Sequence, residues 1–151
     1  MEKKQEPDLC EQSGGPAPPW NRTPAPVMSY VAYKLIHLVG IFALLVALGG
    51  MAAHAAAGHE KEENRSYRLL LVLHGLGALV ALTGGFGLLA RTGVDHGALF
   101  PGWVWAKLVL WVLLGGLIAL PYRNRALARL LLVGLPILGL LGAYLAAFKP
   151  F

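Results

Sequence analysis

Four ionisable side chains stand inside long apolar runs of this chain: His37, His54, His74 and Lys107. A charged group at the centre of a membrane-crossing helix costs ~2.5–3.5 kcal/mol on insertion scales, so groups of this kind tend to face a partner, a ligand or water. An imidazole in that setting has two chemistries open to it. Its lone pair can ligate haem iron, and its two nitrogens can relay a proton. An ammonium can hold a carboxylate or steer protons. The competing reading is purely architectural: a histidine hydrogen-bonded to a neighbouring helix specifies packing, and a lysine near a helix end snorkels to the headgroups.

The neighbours of these residues sharpen the choice. At 100° per residue, the face of His74 also carries Gly77, Ala78, Ala81 and Gly85, all small, so His74 is expected to point at another helix or a flat ligand. Lys107 lies one turn from both Trp103 and Trp111, which puts a cation–π contact within reach of its stem. His59 and His96 lie in or beside connections, and Asp95 has no partner pattern. Nucleophilic triads, paired carboxylates and zinc-ligand spacings are absent. GLGALVALTGG is no nucleotide fingerprint, because no strand precedes it. Cys10 is the only cysteine, which excludes an internal disulfide and a thiolate cluster.

The elements that must position these groups follow from composition and length. Hydrophobic residues make up 56% of the 151 residues and charged residues 14%, with a mean hydropathy of +0.58. A soluble domain carries about 25% charged residues, so lipid has to solvate most of this surface. Apolar runs at about 29–57, 67–90, 103–120 and 126–148 each meet or nearly meet the ~20 residues that cross a ~30 Å hydrocarbon core as a helix. None shows the two-residue alternation of a barrel strand. Pro121 ends the third run, and Pro136 predicts a modest kink in the fourth. Residues 59–66, 91–102 and 122–125 form short connections, which force consecutive helices antiparallel. The expected fold is therefore all-α: an integral membrane, four-helix, up-down-up-down bundle. Most of the 19 glycines fall inside the runs, where close helix approach explains them better than any phosphate loop.

Residues 1–27 read as a disordered, proline-rich arm with little to bury, and Met28 just before the first run is an alternative start. No apolar stretch follows Lys3-Lys4, so the arm is not a signal peptide. The net charge of +5 comes from residues at the ends of apolar runs and points to headgroups rather than nucleic acid. Lys61, Arg65, Arg68, Arg123, Arg125 and Arg129 cluster around the first and third connections, against Arg22, Lys34, Arg91 and Lys149 at the other end. By the positive-inside rule both termini are expected outside, periplasmic in a bacterial inner membrane.

Depth decides which groups can cooperate. His37 is expected ~10 Å, and Lys107 ~6 Å, from the outer ends of their helices, so the two share a level. His54 and His74 are each expected within ~6–12 Å of the inner ends, which makes them the better bis-histidine pair. His37 and His74 are separated by ~10–15 Å, too far for axial ligands standing ~4 Å apart across one iron.

Several of these stretches resemble a known family. YKLIHLVG in the first run, GWVWAKLVL in the third and FKPF at the chain end resemble the HemJ-type protoporphyrinogen oxidases, as do His59-Glu60 and the SYR opening the second run. The second run, LLVLHGLGALVALTGG, is more similar to the SirB-type membrane proteins, and ALGGMAAHAAAG departs from the bulky HemJ-type first-span core. The resemblance covers residues 29–151 in layout and rests on a handful of positions. It implies bound haem b, and functional roles for His37 and Lys107. His74, with His54, would supply an axial or relay imidazole, and a membrane quinone would take the electrons from a porphyrinogen. The other reading is a non-catalytic subunit or regulator of a membrane complex, or a homo-oligomer, whose histidines only pack helices.

Overall fold

The computed structural model describes residues 28–92 and 100–149. They form four helices: α1 (Tyr30–Ala56), α2 (Tyr67–Arg91), α3 (Gly102–Gly116) and α4 (Arg125–Phe148), with no strand among the described residues. A 3₁₀ turn extends α3 through Leu117–Ala119, giving an 18-residue third segment. All four segments are long and apolar enough to cross a membrane. The expected boundaries agree to within a residue. The proline-rich arm, Cys10, Arg22, Asp95 and His96 lie outside the described residues.

Local chemistry explains the ends. The Ser29 hydroxyl accepts the Ala32 N–H at 3.2 Å, and the Asn124 side-chain oxygen accepts those of Ala126 and Leu127, so α1 and α4 begin on capped turns. Gly58, with φ of 97°, takes the left-handed conformation just past α1, and its N–H returns to the Ala55 carbonyl at 3.0 Å. The third segment stops before Pro121, whereas α4 runs on through Pro136. The Arg125 guanidinium donates to the Gly58 carbonyl at 2.7 Å and ties the start of α4 to the end of α1.

Helix packing rests on missing side chains. In lipid no hydrophobic effect draws helices together, so close approach at small residues has to hold them. A Cβ at Gly84 would stand 2.6 Å from the His37 backbone nitrogen, and one at Gly77 2.8 Å from that of Leu44; Gly87 lies against the Tyr33 ring. Residue numbers therefore rise along α1 as they fall along α2, with 33 beside 87, 37 beside 84 and 44 beside 77. Leu44 and Leu48 of α1 close a core with Leu110 and Leu114 of α3 and Leu135 of α4. Outside this bundle, Val39, Phe42, Leu69, Val109 and Leu140 are each more than 60% exposed, an apolar surface that suits acyl chains and not water.

Candidate functional site

His37 sits on α1 where Gly84 and Gly85 of α2 leave room for its ring. Its Nδ1 bonds the Ala81 carbonyl oxygen, a group that can only accept, so Nδ1 carries the proton. The neutral ring then holds its lone pair on Nε2, which makes no hydrogen bond among the described residues. A backbone carbonyl that fixes the tautomer from one nitrogen is what orients imidazoles that serve as metal ligands or bases through the other.

Lys107 reaches the same level from α3. The Trp111 indole donates to the Ala78 carbonyl at 2.9 Å, and His74 Nε2 meets the Gly115 carbonyl at 3.2 Å. These two bonds set α3 against α2 so that Lys107 falls opposite residue 82, two positions from the Gly84 that faces His37. Two residues of helix are ~3 Å of depth, so Lys107 and His37 share a level. Its Nζ lies 4.8 Å from the centre of the Trp103 ring. The cation–π contact expected with Trp103 is therefore present, whereas Trp111 is engaged with Ala78. A second ammonium, that of Lys149 at the end of α4, lies 5.4 Å from the same ring.

His74 is buried, with 4% of its surface exposed. Because Gly115 offers only a carbonyl, Nε2 donates the proton there and Nδ1 holds the lone pair. That Nδ1 is enclosed and has no partner among the described residues. The small-residue face is real, but it is filled by α1: Gly77 and Ala81 lie against Gly40, Ala43 and Leu44.

His54 belongs to a different cluster, at the other end of the bundle. Its Nδ1 pairs with the Tyr122 hydroxyl at 3.2 Å, and Asn64 Nδ2 donates to that hydroxyl at 2.6 Å. The His59 ring packs 4.9 Å from that of His54, and Tyr122 also packs edge-on to Tyr67. Beside this cluster a cleft of about 280 Å³ is lined by residues such as His59, Lys61, Tyr122 and Arg125, far along the bundle from His37. Outside the spans, the Glu63 carboxyl is held below its ordinary pKa. The chief cause is the Glu60 N–H that it accepts at 2.9 Å, and His59 adds to it at 3.3 Å.

The register corrects one expectation. His54 and His74 do not share a level. Leu44 lies beside Gly77, and continuing that antiparallel pairing sets His54 opposite Tyr67, an α2 position seven residues from His74. Seven residues are ~10 Å along the axis. Placing both within one ~6–12 Å band of the inner ends missed this, because His54 stands only two residues from the end of α1 and His74 seven from the start of α2. Two axial nitrogens ~4 Å apart cannot come from this pair, and His74 Nε2 is already bonded to Gly115. Haem b held between His54 and His74 does not fit these residues. His37 differs from His74 in that its Nε2 is left without a hydrogen bond among the described residues while Nδ1 is held by the Ala81 carbonyl. Among the described residues no group of three or more histidine, cysteine or acidic side chains could hold a metal ion by itself.

Sequence reasoning overlooked Tyr122 and Asn64, which lie in polar connections with no pattern around them. Lys149 entered only through its charge and the FKPF stretch, although its spacing to Trp103 is a matter of tertiary structure. Comparison with models of protein families, with curated proteins and with solved structures finds no match for this chain.

Proposed function

We propose that this chain is a four-span, up-down bundle of a bacterial inner membrane that binds an anionic tetrapyrrole at the end holding His37 and Lys107. Descending residue pairs between consecutive helices support the up-down arrangement: 37 with 84 and 44 with 77, 78 with 111 and 74 with 115, 110 with 142 and 103 with 149. The observation that carries the binding reading is the pairing of an imidazole with a free Nε2 and an ammonium at one depth, both within apolar helices. Lys107 holds a carboxylate of the ring, and the resemblance to HemJ-type oxidases supplies the tetrapyrrole. The occupant decides what the His37 lone pair does. With an iron-bearing ring such as haem b it would be a nitrogen ligand to the metal; with a hydrogen-rich porphyrinogen it would accept a proton, a membrane quinone taking the electrons.

The test is direct. Protein purified in mild detergent from haem-replete cells should show a Soret band, or take one up when protoporphyrin is added. His37→Ala should abolish that band or weaken porphyrin binding at least tenfold, and His54→Ala should leave it unchanged. A colourless preparation that also ignores added porphyrin would refute the reading.

A second reading, a non-catalytic subunit or homo-oligomer, is favoured by one observation. Cβ atoms at Gly115, Gly116 and Gly134 would meet nothing, so α3 and α4 keep small-residue positions uncovered that a further helix could fill. Native mass spectrometry from lipid discs separates the two: a lone chain with bound porphyrin supports the first, and a porphyrin-free assembly the second.

A further inference from the structure

One end of the bundle concentrates positive charge on a single aromatic ring. The ammonium groups of Lys107 and Lys149 lie 4.8 and 5.4 Å from the centre of Trp103, so they stand no further apart than the sum of those distances, about 10 Å. They arrive from different helices. Lys107 sits one turn into α3, whereas Lys149 is the residue at which α4 ends in a left-handed turn, with φ of 44°. Gly142 packs on Leu110 and fixes α4 against α3, so the convergence is built into the helix register and does not depend on a loop.

No described carboxylate neutralises the pair. Among the described residues the only carboxylates are Glu60, Glu62 and Glu63, all in the connection at the opposite end. The one ion pair among those residues, His59 with Glu63, is there as well. The α3 amide end next to Trp103 adds to the positive field, because Pro101 at its start provides no side-chain cap. Two ammonium groups held within about 10 Å of each other repel, and a ring face relieves that only in part. An anion between the two ammonium groups relieves that repulsion.

We propose that Lys149 and Lys107, set on Trp103, form a two-cation clamp for a ligand bearing two anionic groups. The identity of that ligand rests on the tetrapyrrole reading above: two carboxylates on neighbouring positions of one ring edge, each held by one lysine, with the ring directed towards His37. Lys149 is then a positioning residue for the tetrapyrrole, and the clamp selects dicarboxylates over monocarboxylates and esters.

Full-length protein in discs of zwitterionic lipid is titrated with protoporphyrin and with its dimethyl ester, for the parent, Lys149→Gln and Lys149→Arg. Lys149→Gln should weaken free-acid binding at least tenfold, leave ester binding within twofold of the parent, and be rescued by Lys149→Arg. Lys149 is exposed at the end of α4, so the variant folds, and an unchanged melting temperature in the ligand-free discs checks this. Loss of both ligands alike, or of neither, overturns the clamp while the tetrapyrrole reading stands. If the parent binds neither porphyrin, that reading fails, and discs containing phosphatidic acid test the clamp alone. A thermal stabilisation by this lipid that Lys149→Gln abolishes keeps it; stabilisation indifferent to Lys149, or none, overturns it.

Discussion

Replacing Gly40 by alanine tests the α1–α2 contact on which the His37 geometry depends. A Cβ at Gly40 would overlap the Ala81 backbone nitrogen and stand 2.8 Å from both the Ala81 Cα and the Gly77 carbonyl oxygen, where ordinary contact begins near 3.4 Å, so the helices must part by more than about 0.6 Å. The obstacles are backbone atoms, which cannot rotate away. Overpacking of this kind costs typically 1–3 kcal/mol, against a helix-propensity gain of about 1 kcal/mol for replacing glycine by alanine. Gly75 isolates the second term, since a Cβ there meets nothing within 4 Å. Gly75→Ala should be neutral or more stable by up to about 1 kcal/mol, and Gly40→Ala less stable than Gly75→Ala by about 1–3 kcal/mol. Unfolding of detergent-solubilised protein by sodium dodecyl sulfate, followed by far-ultraviolet circular dichroism, measures both. A second readout follows from the same contact. Ala81 supplies the carbonyl that orients His37, so parting the helices should also weaken porphyrin binding in Gly40→Ala and not in Gly75→Ala. Equal stability and equal binding in the two variants would show that the helices do not meet backbone to backbone here.

Two further outcomes follow from the polar contacts. Glu63 titrates below its ordinary pKa, so the capping contact it makes with the Glu60 N–H is complete above the unfolded value of about 4.3 and is lost as pH falls through the lower folded value. The Glu60 amide proton shift should follow that midpoint and stop titrating in Glu63→Gln; a midpoint at or above that of an ordinary glutamate refutes the assignment. His74→Leu gives up one hydrogen bond to Gly115, worth a net 0.5–1.5 kcal/mol or so, but also removes a buried unpaired nitrogen that costs about 1–3 kcal/mol. Its stability should therefore match or exceed that of the parent, and destabilisation by more than about 2 kcal/mol would show that Nδ1 has a partner worth keeping.

What could be read from the residues alone divides along a physical line. Span number and boundaries depend on transfer free energy and on caps, and both are local: Ser29, Gly58, Pro121 and Asn124 stand where the helices begin or end. The common depth of His37 and Lys107 was also legible, because each lies a few residues from the same end of the bundle and helical rise is constant. His54 and His74 show where that reasoning fails. Their depths were placed in one band although His54 stands two residues from the end of α1 and His74 seven from the start of α2, and the exact levels are decided by which glycine faces which backbone: Gly84 on His37, Gly77 on Leu44, Gly50 against Leu70. Rotation about each helix axis was equally hidden. The stripe of Gly77, Ala78, Ala81 and Gly85 correctly marked a packed face, but every bundle helix needs such a face, so the stripe could not say whether α1 or a ligand fills it. Lys149 makes the same point from the other side. Nothing within several residues of it hints at Trp103, because the two meet only when α3 and α4 take their register. A chain of this kind thus spells out its topology in local composition, while the partners of its few polar atoms are set by helix stagger, and stagger is carried by side chains that are absent.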